Sequence, residues 1–204
     1  MDCNKMGTLL VRLRKEKNMT QKEIADMMNI SDKTISKWER GLGCPDVSLL
    51  GELSNIFEVN IEKILAGDLK PNNMETGNLK RIKFYVCPNC SNVIYNAGDA
   101  DISCCGRKLS PLIARPADEM HEATIEEADG EYYITFSHEM SKNHFLSFVA
   151  YVTSDRILFV KLYPEQTAEV RLPKMSGGRL QQKNSGKLYY YCVSHGLWVL
   201  NGEK

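Results

Sequence analysis

The spacing of apolar residues changes once along this chain of 204 residues. From Met6 to Leu65 they recur every three or four positions: Leu9, Leu10 and Leu13, then Ile24, Ala25 and Met28, then Ile35 and Trp38, then Leu49, Leu50 and Leu53, then Ile61, Ile64 and Leu65. That period lines one face of a helix, and the run predicts about five short helices. Thr20, Ser31 and Asn60 are N-cap residue types, Gly41 and Gly67 follow helices, and Cys44-Pro45-Asp46 opens the fourth helix. Beyond Lys83 the period becomes that of strands, in YYITFS, FLSFVAYVT, RILFVKLY, AEVRL, KLYYYCV and LWVLN. Asp129-Gly130 suits a two-residue hairpin turn, whose two central residues need positive φ. The polar stretch from Gly67 to Asn78, with Pro and Gly, reads as a linker. The expected architecture is therefore multidomain, all-α first and all-β second.

Composition narrows the function classes. With 43% hydrophobic and 25% charged residues, collagen-like and wholly disordered readings fall away. No apolar run approaches the roughly 18 residues of a membrane span, and the N-terminus lacks a signal-peptide cleavage pattern, so no membrane partner and a cytoplasmic location are expected. Lys+Arg and Asp+Glu are 26 each, and each side of Lys70 is balanced too, so any anion or nucleic-acid binding must come from local patterning. Seven cysteines in such a chain point away from a disulfide framework and toward metal or redox chemistry. Cys3 and Cys44 lie outside both metal patterns described below and receive no role.

The stretch TQKEIADMMNISDKTISKWERG places two helices around a short turn. Ala25 is small where the helices cross, Asn29 tolerates the left-handed conformation that ends the first, and Ser31 caps the second. Ile35 and Trp38 form the buried side of that second helix; Asp32, Lys33, Ser36, Lys37 and Arg40 form its exposed side. Over residues 6 to 66 this resembles the helix-turn-helix of phage repressors and of xenobiotic-response-element regulators. The resemblance implies double-stranded DNA as partner, with Asp32, Lys33 and Lys37 at base edges in the major groove and Gln21, Thr34 and Arg40 on phosphates. Ser31 belongs to the same interface, and Arg14 with Glu39 forms a structural pair.

Residues 84 to 105 carry Cys87-x2-Cys90 and then the adjacent pair Cys104-Cys105. Four thiolates meeting at one point suit tetrahedral zinc or iron, and spacing does not choose between them. The adjacent pair resembles desulforedoxin over roughly Lys83 to Leu112, which implies an electron-transfer iron in a site that zinc also fits.

All four histidines lie from residue 121 onward: His121, His138, His144 and His195, the last three positions after Cys192. One thiolate and four imidazoles exceed tetrahedral zinc and suit iron. At these residues the chain resembles desulfoferrodoxin and superoxide reductase over residues 118 to 204. That resemblance implies an immunoglobulin-like β-sandwich holding one iron, with the four imidazoles equatorial and Cys192 axial. It implies superoxide as substrate, reduced with one electron and two protons to hydrogen peroxide, and an electron donor such as rubredoxin or a reductase. Glu119 matches the glutamate that closes the open position after oxidation. One departure is Met120, where the family carries a lysine that draws in superoxide. Arg115 and Lys142 are the nearby cations in the sequence.

The expected domains are a helix-turn-helix unit at 1–68, a linker at 69–82, a four-cysteine metal unit at 83–113 and an iron-binding sandwich at 114–204. A homodimer is expected from both resemblances. The function that the two resemblances imply is a DNA-binding protein whose iron centre reduces superoxide; the alternative is a regulator in which that iron is a sensor.

Overall fold

A computed structural model describes residues 2–71, 78–174 and 186–200. These fall into two compact units, Met1–Pro71 and Asn72–Lys204. Residues 72–77, the middle of the expected linker, lie outside the described residues, as do 175–185 and 201–204.

The first unit is helical. Its five α-helices are α1 (Cys3–Glu16), α2 (Gln21–Met27), α3 (Asp32–Glu39), α4 (Leu50–Phe57) and α5 (Ile61–Ala66). Local chemistry sets the ends of α2 and α3. Thr20 and Glu23 form a reciprocal capping box at the start of α2, and Ser31 Oγ accepts from the Thr34 N–H at the start of α3. Asn29 ends α2 at φ 52°. The segment after Asp46 first forms a 3-10 turn, Val47–Leu49, and only then α4. Leu9, Leu10, Leu13, Ile24, Ala25, Ile35, Trp38, Leu53 and Ile64 close into one core. Helices α1 and α3 cross with almost no clearance, since a Cβ on Gly7 would lie 2.3 Å from the Trp38 carbonyl oxygen.

Two cysteines without an expected role meet in this unit. Cys3 and Cys44 form a disulfide, with their Cα atoms 5.1 Å apart. The sequence pointed away from a disulfide framework and gave this pair no role, so the bond is a correction at these two positions. The two are 41 positions apart in sequence, and only the return of the chain after α3 to the start of α1 makes them neighbours.

The second unit is built from strands. A three-stranded sheet runs in the order β10-β7-β6, with β6 at Ala123–Ala128, β7 at Glu131–Phe136 and β10 at Glu169–Pro173. A five-stranded sheet runs β5-β12-β11-β8-β9, with β5 at Arg115–Pro116, β8 at Leu146–Val152, β9 at Ile157–Lys161, β11 at Lys187–Cys192 and β12 at Gly196–Leu200. Tyr132 and Ile134 of β7 pack against Val149 and Tyr151 of β8, Leu188 and Tyr190 of β11, and Trp198 of β12. The result is a β-sandwich. The hairpin β1-β2 (Lys83–Val86 and Val93–Asn96) covers the other face of the larger sheet, where Phe84 meets Phe148, Ala150, Tyr189, Leu197 and Val199. Strand β8 is thus buried along its whole length, which is why FLSFVAYVT reads as a nearly continuous apolar run. A second hairpin, β3-β4 (Ile102–Cys104 and Arg107–Leu109), stands beside the first.

Candidate metal centre and nucleic-acid interface

Each of the two small hairpins delivers a pair of cysteines. The β1-β2 connection turns at Cys87-Pro88-Asn89-Cys90, where the Ser91 N–H donates to the Cys87 carbonyl at 2.9 Å. The β3-β4 turn places Cys105 at φ 50° and Gly106 at φ 73°, the two positive values that a tight hairpin of the type I′ class requires. Cys87, Cys90, Cys104 and Cys105 consequently bring their sulfurs within 4.8 Å of one another. Backbone N–H groups of Cys90 and Asn89 pull the Cys87 thiol down to about 7. Hydrogen bonding to Cys90 and Cys87 pushes Cys105 up to about 12, because one thiolate in a crowded set disfavours the next. A divalent or trivalent cation removes that conflict.

The second group forms where both sheets end. His138 follows β7, His144 precedes β8, Cys192 ends β11 and His195 lies in the turn to β12. Their ligand atoms lie within 4.8 Å of one another. His121, in the 3-10 turn Glu119–His121 before β6, stands beside this group of four, with its Nε2 2.8 Å from His195 Nδ1. Two ring nitrogens facing at that distance need a proton or a cation between them.

The outer nitrogens of three rings are anchored. His121 Nδ1 donates to Asp118 Oδ1 at 2.6 Å, His144 Nδ1 to Glu139 Oε2 at 3.0 Å, and His138 Nδ1 to the Glu139 carbonyl. An oxygen that only accepts fixes the proton on Nδ1 and leaves the Nε2 lone pair turned inward. The Nε2 atoms of His138 and His144 are buried with no hydrogen-bond partner among the described residues. Leaving such an atom unsatisfied costs about 1–3 kcal/mol, and a cation satisfies both together with the buried Cys192 sulfur. Burial, then the neighbouring imidazoles, lowers His138 and His195 below the ordinary histidine value. Neutral rings with free lone pairs are the form a cation takes.

Known proteins divide in the same two parts. The Helix-turn-helix family model HTH_3 matches residues 10–64. An HTH-type transcriptional activator, BcrR of Enterococcus faecalis, is 39% identical over 80 residues, 38% of this chain and 39% of that protein. The chain therefore spans well under two thirds of that relative's length. Desulfoferrodoxin of Clostridium acetobutylicum is 22% identical over 125 residues, 57% of this chain and 94% of that protein. The chain joins a helix-turn-helix unit to a desulfoferrodoxin-like unit. Among solved structures, superoxide reductase from Treponema pallidum is similar at 17% identity with a TM-score of 0.49, over 59% of this chain and 97% of that one.

In the desulfoferrodoxin-like unit, residues not expected from the sequence hold the histidine rings in place. Trp198 stacks on His121 at 4.0 Å and 17°, and the Tyr190 hydroxyl donates to the His121 carbonyl. Asp118 and Glu139 had a signal in hindsight, since each stands within a few positions of the ring it holds. Both carboxyls sit below their ordinary range, Asp118 through its bond to His121 and Glu139 through Ser141 and then His144. Glu119 is exposed and outside the group of four. Arg115 donates to the His195 carbonyl and lies 4.6 Å from the Trp198 ring centre. Lys142 pairs with Glu165 at 3.9 Å.

In the helix-turn-helix unit, Asp32, Lys33, Lys37 and Arg40 are exposed along α3, with Ser31 exposed and Thr34 half-buried at its start. Arg14 grips Glu39 with two nitrogens, at 2.6 and 3.0 Å. Gln21 also donates to Glu39, at 2.6 Å, which leaves its second amide hydrogen for an outside acceptor.

Proposed function

We propose that the desulfoferrodoxin-like unit binds one iron through His121, His138, His144, His195 and Cys192 and reduces superoxide to hydrogen peroxide, and that the helix-turn-helix unit binds double-stranded DNA. The observation that carries the first part is the convergence of partnerless Nε2 atoms of His138 and His144 on a buried thiol. Iron bound there supplies the single electron that superoxide takes up together with two protons. The chain's own part is to hold the donors ready. Asp118 and Glu139 fix the ring tautomers, and Trp198 and Tyr190 hold His121 in place. Cys87, Cys90, Cys104 and Cys105 bind a second iron or a zinc, and an external reductase or rubredoxin-type protein returns the electron.

On the DNA side, α3 lies in the major groove. Asp32, Lys33 and Lys37 read base edges, and Gln21, Ser31, Thr34 and Arg40 contact the backbone. The two units form one regulator of oxidative chemistry, and the chain acts as a homodimer on paired half-sites.

The test loads the reduced protein with iron without oxygen and delivers a stoichiometric pulse of superoxide. Growth of the sulfur-to-iron(III) absorption in step with peroxide formation is expected, because the electron given to superoxide leaves the ferrous iron ferric. An iron-loaded protein that yields no peroxide from the pulse overturns superoxide reduction.

A further inference from the structure

Five cysteines are free thiols, all in the metal-site patterns, while Cys3 and Cys44 are joined. Their Cα separation of 5.1 Å is the ordinary span of a disulfide, and both residues are half-buried rather than sealed in the core. Cys3 is the first residue of the fourteen-residue helix α1. Cys44 lies in the loop after α3, within reach of it.

That loop is tied to the expected DNA-reading surface. The Leu42 N–H donates to the Lys37 carbonyl at 3.0 Å, and a Cβ on Gly43 would lie 3.4 Å from the Lys37 side chain. At its other end, Gly41 is pressed against Asn4, whose side-chain oxygen would lie 2.1 Å from an added Cβ. A bond between Cys3 and Cys44 thus staples the start of α1 to the segment that carries on from α3.

We propose that Cys3 and Cys44 are a redox modification site: a dithiol that a peroxide closes to the disulfide and a cellular dithiol reopens. One thiolate attacks a peroxide oxygen, the O–O bond breaks and water leaves, giving a sulfenic acid. The second thiol displaces the sulfenic oxygen as a second water. Two thiols and one hydrogen peroxide give one disulfide and two waters, with two electrons passing from sulfur to oxygen. The source of peroxide rests on the proposed function, since the iron unit would make it in the same molecule; the chemistry of the pair does not.

The experiment uses the full-length, metal-loaded chain, reduced with dithiothreitol and freed of it without oxygen. Hydrogen peroxide is added in stoichiometric steps, free thiols are trapped with N-ethylmaleimide, and peptides are identified by mass. The expected result is a Cys3–Cys44 linked peptide at low peroxide, lost again on dithiothreitol treatment. Calorimetry is expected to show the helical unit melting about 10 °C higher in the oxidised form, with no such difference in Cys3→Ser. Both residues still alkylated under excess peroxide, or a bond that dithiothreitol leaves closed in the folded protein, overturns the proposal. Because the peroxide is added directly, failure here is separable from failure of superoxide reduction, which the superoxide pulse reads by itself.

Discussion

Met120 is 70% exposed beside His121, where the resemblance to superoxide reductase implies a lysine. A cation at such an entry point raises capture of an anion by focusing its approach. Arg115 is turned onto the His195 carbonyl and the Trp198 ring, and Lys142 is paired with Glu165. Met120→Lys is therefore expected to raise the second-order rate with superoxide by on the order of tenfold and to make it fall with salt; pulse radiolysis across ionic strengths checks both. Glu139 acts one step behind the ligands. Its carboxylate orients His144, and Glu139→Ala is expected to weaken iron binding by about 10- to 100-fold, measured by competition with a chelator. The candidate ligands were legible as residue types, because histidine and cysteine are scarce and clustered. Their orienting carboxylates were not, because aspartate and glutamate are common and only a distance distinguishes them.

Among the elements, the hairpin β3-β4 shows why two adjacent cysteines serve one site. Its turn needs left-handed backbone at Cys105 and Gly106, and an added Cβ at Gly106 meets nothing within 4 Å. Gly106→Ala therefore tests conformation without a clash. A strain of about 1–2 kcal/mol is expected, with reduced metal content at the four-cysteine site, read by metal analysis of the purified variant. In the helical unit, the α1–α3 contact is locked by Arg14 and Glu39, whose side chains are 17% and 4% exposed. Burial opposes ionisation of Glu39, but hydrogen bonds from Arg14 and Gln21 outweigh it and hold the carboxyl below its ordinary 4.5. A carboxyl depressed in the folded state stabilises above its unfolded value and loses that contribution as pH falls through the folded one. Glu39→Gln is expected to cost about 3 kcal/mol at neutral pH by leaving Arg14 without its charge partner, and to flatten the acid limb. Urea unfolding at neutral and acid pH measures both. Helix identities and the α2–α3 turn followed from apolar period and caps; the close α1–α3 crossing at Gly7 did not, because a glycine's missing Cβ has meaning only against the Trp38 carbonyl.

At the scale of the whole molecule, a helix-turn-helix unit and a β unit carrying two candidate metal sites share one chain. A reporter requires that the state of one unit change the affinity of the other. Coupling of that kind spans about 5- to 150-fold in affinity, so duplex binding by the metal-free, ferrous and ferric protein is expected to differ within that range. Equal affinities in the three states would leave the iron as a turnover site alone. The DNA side has its own test. Arg40→Ala is expected to weaken binding alike on all sequences and to reduce the salt slope by about 1, seen in titrations across salt concentrations.

The sequence by itself determined the two-part architecture, the order of helices before strands and the residues of both metal patterns. Each depends on local period, on caps and turns, or on the scarcity of a residue type, and all of these are written along the chain. Tertiary structure decided which cysteines pair and which rings converge. Cys3 reaches Cys44, and His121 reaches His195, across long separations. Contacts of that kind arise from how helices cross and sheets stack, and burial of the apolar faces fixes those crossings without leaving a periodic trace.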